Sequence, residues 1–563
     1  MLFRKLGVAV TAASGAAAVA TAQDVDSGHA RLLRSLGYSA LTVAEYKRVQ
    51  RAEKVGRHDA DSGAAAHAEL HRRAAERLLH VCRLHGGMYT KLGQFAASMS
   101  GGSLLPTQYG LLSACEDKAR APVDISEVRQ LIKEELGVGS EELFASLEPT
   151  PVATASLAQV HRGHLPSGEA VAVKVQYPKL RAQAASDLKA LRVIAALVGR
   201  MFPTMGYEWL LPEFEASLES ELDFHQEAHN AQRQRLFFAE WQDVHVPAVH
   251  PQLSSRRLLT MEWIDGVKVT DAEGLDALGI VPTEVAPILC RAISAMVFES
   301  GLVHCDPHAG NLLVRPLNPP PLRDSHGTAA GMRSGVGSAA GAGMKRARGG
   351  FGGVPGGFGG VRPQLVILDH GMVRELSPAF RREYCRLWRA LLMRDHATGR
   401  RAAVALGLPE VDLELLSLLL MHRTPKSKAA VGSNMSAAER QAMRKRYNGF
   451  GAADVNLFLQ RLPRDMLFVM RTWSMVRSLN KRLGGTTRQR FMLMSRHLAR
   501  GSLITPSGAH AGAFVSWARS LGNGIRVRLL RLRFRLMMNM YDLAFGLYWR
   551  LNATRPASMR QLG

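Results

Sequence analysis

The run His304-Cys-Asp306-Pro-His308-Ala-Gly-Asn311 sets a carboxylate and a carboxamide five residues apart, directly ahead of an apolar stretch. That spacing suits phosphoryl transfer: the Asp faces the accepting hydroxyl, and the Asn turns back toward a metal on the phosphates. Downstream, Leu365-Val-Ile-Leu-Asp369-His370-Gly371 ends an apolar strand in Asp-x-Gly, a place for a carboxylate that holds Mg²⁺ against the β- and γ-phosphates. Upstream, Val171-Ala-Val-Lys174-Val puts a lysine in mid-strand, within reach of phosphates. A lysine between valines is more often an exposed edge charge. The order lysine, helix glutamate, loop Asp, strand-end Asp reverses that expectation here. Glu221-Leu-Asp223-Phe-His-Gln-Glu227 offers two candidates for the glutamate, either of which could be an ordinary solvated helix charge.

The glycine-rich lid of ordinary kinases is missing. One strand before Lys174 stands Pro151-Val-Ala153-Thr154-Ala155-Ser156-Leu-Ala-Gln-Val. Small side chains still let phosphates approach, but alanine does not take positive φ freely as glycine does, so a stiffer phosphate loop is expected.

These residues need elements to hold them. Residues 29–60 and 64–100 read as two amphipathic helices, and Asp124 to Leu136 as a shorter one. Two β-rich runs follow, from Ala158 and from Val171, separated by the turn Leu165-Pro-Ser-Gly168. Helical stretches are expected through about Arg200 and over 212–240, then a strand from Arg257 to Ile264, with short strands at Leu312–Val314 and Leu365–Leu368. Between the last two, residues 323–362 hold 14 glycines in 40 and few large apolar side chains, the composition of a flexible insertion. Its Lys345, Arg346 and Arg348 suit a solvated loop better than an RNA-binding tail.

Of the 563 residues, 21% are charged and 47% apolar, which excludes wholesale disorder. Five scattered cysteines without Cys-x-x-Cys exclude a disulfide scaffold or thiolate zinc cage and fit a reducing compartment. The formal charge of +24 is uneven: from Arg401 onward there are 27 Lys+Arg against 7 Asp+Glu, leaving 45 against 41 in residues 1–400. A basic excess confined to one terminal part points to an anionic surface as its partner. Within it, Ile525, Leu529, Leu532 and Leu536 share one helix face, and Arg528, Arg531 and Arg535 another. With Tyr541, Phe545, Tyr548 and Trp549 beyond, the stretch suits an anionic bilayer surface, and packing on the rest of the protein equally well. No nucleic-acid partner is expected, since no reader motif accompanies the charge. The first 22 residues carry Arg4 and Lys5, no acid, and an Ala-rich run, as an organellar targeting segment does.

The chain resembles the UbiB-type (aarF-domain) atypical kinases. The likeness is carried by Ala153-Thr-Ala-Ser156 with Leu157-Ala-Gln-Val, Glu221-x-Asp223, His304-x-Asp306-Pro-His308-x-Gly-Asn311, Asp369-His-Gly371 and Lys91-Leu-Gly-Gln94. Within the family, Gly206-Tyr-Glu-Trp-Leu-Leu, Glu221-Leu-Asp-Phe and Tyr384-Cys-Arg-Leu-Trp are most similar to the mitochondrial aarF-domain-containing kinase 1 branch. The resemblance implies ATP/ADP and Mg²⁺ as cofactors. Lys174 would contact the α/β-phosphates and pair with Glu227, Asp306 would be the catalytic-loop carboxylate, and Asn311 and Asp369 would hold Mg²⁺. The hinge would be Met261-Glu262-Trp-Ile264, with Ala153, Thr154, Ala155 and Ser156 at the phosphates. Lys91 and Gln94 would belong to a helical unit folded over the cleft, faced by Glu221 and Asp223. Ala309 stands where the family usually has Pro, which loosens the loop but removes no ligand.

The expected fold is α+β, a bilobal protein-kinase-like fold with a helical N-terminal extension (the KxGQ unit) and a helical C-terminal region. Its units would be a targeting or anchor segment (1–24), the extension (25–150), an N-lobe (151–266), a C-lobe (267–400) and the basic region (401–563). The implied activity is that of an atypical kinase or ATPase at the mitochondrial inner membrane, or in a plastid, supporting membrane-lipid homeostasis. A nucleotide- and lipid-binding scaffold, or a role in isoprenoid-quinone metabolism, is the alternative. The phosphoryl acceptor, lipid or protein, is not named by the residues.

Overall fold

Glycines divide the helical start of the chain. The computed structural model describes residues 28–55, 60–100, 106–115, 122–202, 208–317, 361–408, 413–421 and 452–502, with isolated positions at 441, 525, 528, 529, 532, 533 and 536. The expected segment 1–24 and nearly all of the insertion 323–362 lie outside these residues. Helices α1 (Gly28–Lys54), α2 (Ala60–His85) and α3 (Gly87–Ser100) form the N-terminal unit. A single helix over 64–100 was expected; the chain turns instead at Gly86 and Gly87, whose φ values of +63° and +50° lie in the region only glycine enters cheaply. The turn makes α3 a separate helix with its own two faces.

After α4 (Ile125–Leu136) and α5 (Ser140–Leu143) come β1 (Ser146–Leu147), β2 (Ala153–Thr154), β3 (Ala158–His164) and β4 (Ala170–Gln176). Helices α6 (Leu180–Met201), α7 (Leu211–Glu221) and α8 (Phe224–Phe237) follow, then β5 (Val244–His245) and β6 (Leu258–Glu262). The first sheet has the antiparallel order β1-β3-β4-β6, with β2 on β3. Alternation along β4 decides which side chain meets which layer. Val171, Val173 and Val175 pack on Val128, Leu131 and Ile132 of α4. Ala172 turns the other way, toward Phe224 and Ala228 of α8. Lys174, two residues on, shares that second face.

The expected helix over 212–240 is also two. α7 ends at Glu221, and Asp223 accepts the His225 N–H (3.1 Å) to cap α8. The break points Glu221 and Glu227 to different partners.

The second lobe runs β7 (Val267–Lys268), α9 (Ala272–Ala277), α10 (Pro282–Ala295), β8 (Leu302–His304), β9 (Leu312–Pro316), β10 (Pro363–Ile367), β11 (Val373–Glu375), α11 (Pro378–Met393), α12 (His396–Ala405) and α13 (Leu413–Met421). Its sheet has the order β5-β10-β9-β7, beside a β8–β11 pair. The ends flanking residues 318–360 are tied together, Leu317 N–H donating to the Arg362 carbonyl (2.8 Å).

Helices α14 (Ala452–Arg461), α15 (Arg464–Arg482) and α16 (Thr487–Gly501) close the described fold. Met466, Val469, Phe491 and Leu498 share one core with Leu289 and Ile293 of α10 and Trp388 of α11. The boundary expected at 400/401 therefore falls inside α12, and residues 452–502 of the basic region pack as part of the C-lobe.

Candidate active site

Lys174 ends up between two acids. Its Nζ lies 2.7 and 3.0 Å from the two carboxylate oxygens of Glu227 in the first turn of α8, and 2.9 Å from Asp369 Oδ2. Asp369 is held well below the usual carboxylate range: burial opposes its charge, but Lys174 and then Lys91 outweigh it. Glu227 goes the other way, pushed up to about 7 by burial and then by Asp369. Lys174 is raised despite burial, by Asp369 and Glu227, and stays protonated. α7 and α8 also grip the Asp369-His370-Gly371 backbone: Ser220 Oγ donates to the Gly371 carbonyl (2.9 Å) and Asn230 Nδ2 to that of His370 (3.1 Å).

Antiparallel pairing brings Asn311 beside the Asp369 segment. Ile367 pairs with Leu312, and the Leu368 N–H donates to the Asn311 carbonyl (3.0 Å), so the residue before β9 adjoins the residues after β10. Asn311 donates Nδ2 to the Asp306 carbonyl (3.2 Å), folding the loop back on itself. The Asp306 N–H donates to His304 Nδ1 (3.1 Å), which fixes His304 as neutral imidazole, as its burial also favours.

The donor set fits Mg²⁺. Asp369 carboxylate and Asn311 carbonyl are hard oxygen donors, and among the described cleft residues Glu221, Glu227, Asp306 and Asp369 outnumber Lys91, Lys174 and Arg471. No group of three or more His, Cys, Asp or Glu among the described residues could hold a metal unaided, so phosphate oxygens would complete the shell.

The opposite wall is helical. Lys91 on α3 bonds Glu221 at 2.5 Å and feels Asp306 and Asp369 as well. Gln94 donates to the Cys115 carbonyl (3.3 Å) and lines the same small space as Asp306. Asp223, expected to face this motif beside Glu221, caps α8 instead and lies 3.5 Å from Arg256. The sequence reading missed Arg471. From α15, its Nη2 bonds Asp306 Oδ1 at 2.9 Å, both side chains being buried. Burial would raise the Asp306 pKa, but Arg471, then His308 and Lys91, bring it below the ordinary value. The missed signal was a charge on the buried face of α15, one helical turn after Leu467.

In the Ala-rich loop expected at the phosphates, β2 pairs Ala153 with Val160 and Thr154 with Gln159. Ala155 N–H donates to the Ala158 carbonyl (2.7 Å), and Tyr177 Oη donates to the Ala155 carbonyl (3.2 Å). Among the described non-glycine residues only Lys179 and Arg394 have positive φ, so this loop needs no glycine. Ser156 is buried, while Ala153 and Ala155 are exposed. At the hinge, Met261 and Glu262 end β6, and the Glu262 carboxylate turns to His245 (2.9 Å) and the Ala248 N–H (3.0 Å). The Glu262 N–H donates to the Ala248 carbonyl (2.8 Å) and the Trp263 N–H to that of Ala170 (3.1 Å), and Ile264 beyond them is buried.

Residues 115–402 match the model of the ABC1 atypical kinase-like domain. A putative ABC1 protein of Arabidopsis thaliana is 31% identical over 94% of this chain and 95% of its own length. The AarF domain-containing protein kinase 1 of Mus musculus is 30% identical over 87% of this chain and 85% of its own. Among solved structures, a Mycobacterium tuberculosis protein in complex with erythromycin aligns over 79% of this chain and all of that one, at 21% identity and a TM-score of 0.45.

Proposed function

The chain belongs to the ABC1 (AarF) atypical kinase-like family, and on that premise we propose that it binds MgATP between its lobes and hydrolyses it or transfers its γ-phosphoryl group. The observation that carries this reading is Lys174 held at once by Glu227 and Asp369, at 2.7 and 2.9 Å. Lys174 then presents a fixed positive charge to the α/β-phosphates. The Ala-rich loop covers them. Asp306, kept ionised by Arg471, orients the attacking hydroxyl or water. Asn311 and Asp369 would hold Mg²⁺, which would supply positive charge to the phosphates. Titration calorimetry with ATP, with and without Mg²⁺, tests this. Binding should require Mg²⁺ and vanish in Lys174→Ala and Asp369→Asn; metal-independent binding that survives both changes would overturn it.

One observation favours the scaffold alternative. The space shared by Asp306, Lys91, Gln94 and Arg471 amounts to only about 10 Å³, too little for a hydroxyl-bearing acceptor in this conformation. In cells lacking the protein, full rescue by Asp306→Asn would favour a nucleotide-binding scaffold over transfer.

The site of action in this proposal is an anionic membrane surface of the mitochondrion, in the service of membrane-lipid homeostasis. Ile525, Leu529, Leu532 and Leu536 are helical and 53–60% exposed, with Arg528 exposed beside them, as a surface-lying helix requires. Arg531, Arg535 and the aromatic residues beyond lie outside the described residues. Among the described residues no helix is long and apolar enough to cross a membrane. Flotation with anionic but not neutral vesicles, lost in Leu529→Glu/Leu532→Glu, is the expected result. Organelle fractionation separates mitochondrion from plastid or any other compartment.

A further inference from the structure

A cavity larger than the one at the carboxylates lies among the described residues. A space of about 450 Å³, open on one side, lies on the other side of α3, lined by α1, α2, α3, α6 and α7 with Tyr109 and Glu208 from the turns between them. Small-molecule sites have volumes of about 300–1,000 Å³, whereas packed interiors leave few voids larger than a water. Water does not fill it well either. Most of the wall is apolar, including Val43, Leu78, Leu92, Leu191, Ile194 and Val198, and that part gives water no partners.

The polar groups of the wall narrow the ligand. Arg77 spends both terminal nitrogens on Glu45, at 3.0 and 2.6 Å, and the other charged group of the lining, Glu208, is an exposed carboxylate, so no free cation awaits an anion there. Tyr46, His71 and Tyr109 cluster in the same lining, with Tyr46 Oη 2.5 Å from His71 Nδ1 and hydrogen-bonded to Tyr109. Burial lowers the His71 pKa, so this cluster is neutral near pH 7. It can donate to or accept from one uncharged polar group. A neutral head beside an apolar tail matches such a wall. A phosphate, a carboxylate or a nucleotide does not.

Two side chains belong to both spaces. Phe95 of α3 and Phe214 of α7 line the large cavity and the small one at Asp306, with ring centroids 5.7 Å apart. The Arg471 guanidinium lies 5.4 Å from the Phe95 ring centroid while bonding Asp306. An occupant of the cavity is thus one aromatic ring away from the arginine that sets the catalytic-loop carboxylate.

We propose that the cavity binds a neutral long-chain lipid, its single hydroxyl or carbonyl at the Tyr46–His71–Tyr109 cluster, and that occupancy changes nucleotide affinity through Phe95 and Arg471. The second half rests on the MgATP reading above. The first does not.

The test is equilibrium dialysis of the full chain with radiolabelled 1-dodecanol, with dodecanoate as competitor, followed by the Kd for MgATP with and without saturating dodecanol. Wild type should bind dodecanol saturably, at least tenfold more tightly than dodecanoate. Ala195→Phe and Ala96→Leu, which fill the cavity from α6 and α3, should weaken binding at least tenfold. Leu197→Phe, 48% exposed on the same helix, should not. Tyr46→Phe keeps the shape and should narrow the preference for the alcohol over dodecane, which decides the head-group assignment even if a filled variant fails to fold. Dodecanol should shift the MgATP Kd at least threefold in wild type and not in Ala195→Phe. Equal binding by wild type and folded filled variants, or dodecanoate binding as well as dodecanol, overturns the site. Dodecanol binding with an unchanged Kd overturns the coupling. A chain that binds dodecanol but no MgATP overturns the nucleotide reading and the coupling together, and leaves the lipid site standing.

Discussion

Two walls face each other across the cleft, and each presents a lysine bonded to a glutamate. On the sheet wall, β4 offers Lys174 to Glu227, with Asp369 as a second acid at 2.9 Å. On the helical wall, α3 offers Lys91 to Glu221 at 2.5 Å. The two glutamates flank one helix break at Leu222-Asp223, so a single turn aims them in opposite directions. The walls differ in what surrounds the pair. The sheet wall carries more acid than base and so calls for a cation. The helical wall adds Arg471 to Lys91, and brings positive charge to Asp306. On the proposed function, phosphates with their metal would lie against the first wall, and the second would control the Asp306 carboxylate.

Breaking the Arg471–Asp306 pair should have the largest effect. Arg471→Met strands a buried carboxylate, and removing one partner of a buried pair costs about 3–5 kcal/mol. Urea denaturation should show that loss, and Asp306→Asn in the same chain should return a good part of it as coupling energy. A loss under about 1 kcal/mol would mean that the helical wall does not hold Asp306.

Lys174→Met tests the sheet wall. Without the shared ammonium, Glu227 and Asp369 face each other unpaired, and Glu227 takes up a proton. Calorimetry should show MgATP affinity reduced at least about 100-fold, roughly 3 kcal/mol. A change below about tenfold would put the phosphates elsewhere.

Most of the sheet wall was legible in the sequence because Lys174, Asp369 and Asn311 sit at marked places on or beside a strand, whereas the choice of Glu227 over Glu221 came only with the family resemblance. Lys174 is fixed by the alternation of β4, Asp369 by the apolar run before it, and Asn311 by the strand after it. The helical wall was legible only in part. Lys91 and Gln94 came with a family resemblance, not from periodicity. Arg471 was hidden in the basic excess after residue 400, which reads as one feature facing an anionic surface, although the residue lies among Leu467, Phe468 and Thr472 on the buried side of α15. The breaks at Gly86-Gly87 and Leu222-Asp223 were read through because both flanks have helical composition. One of the two, at Asp223, carries its own cap signal. A cavity shared by five helices has no linear signature, since its lining residues look like core.

Acid should loosen both walls, by a smaller amount. His85 of α2 and His370 beside Asp369 are each pushed down to about 3, first by burial. A depressed folded-state pKa contributes stability fully above the unfolded value near 6.5 and loses it as pH falls toward the folded one. Between pH 7 and 5 each histidine therefore costs the fold about 2 kcal/mol. Glu227, raised to about 7, works in the opposite sense, stabilising the fold as pH falls toward its unfolded value. His71, His161, His304 and His497 are also lowered, so the histidines prevail. The Tm should fall from pH 7 to 5, and less so in His85→Leu. A Tm that rises over that range would contradict the balance.

Lys91→Met should have the smallest effect on affinity, and it separates the two walls most cleanly. Its partner Glu221 already has a raised pKa from burial, and without Lys91 it protonates instead of standing as a bare charge. MgATP affinity should stay within about threefold, under 1 kcal/mol, because Lys174 and Asp369 keep their contacts. What moves is Asp306. Lys91 helps Arg471 and His308 hold its pKa down against burial, so its loss lets the carboxyl climb. Asp306 must be ionised to orient an attacking hydroxyl or water, so the acid limb of the kcat profile should move to higher pH, and further in Arg471→Lys/Lys91→Met than in Lys91→Met alone. If Lys91→Met lost nucleotide as completely as Lys174→Met, the two lysines would serve one phosphate site, and the division between the walls would be wrong.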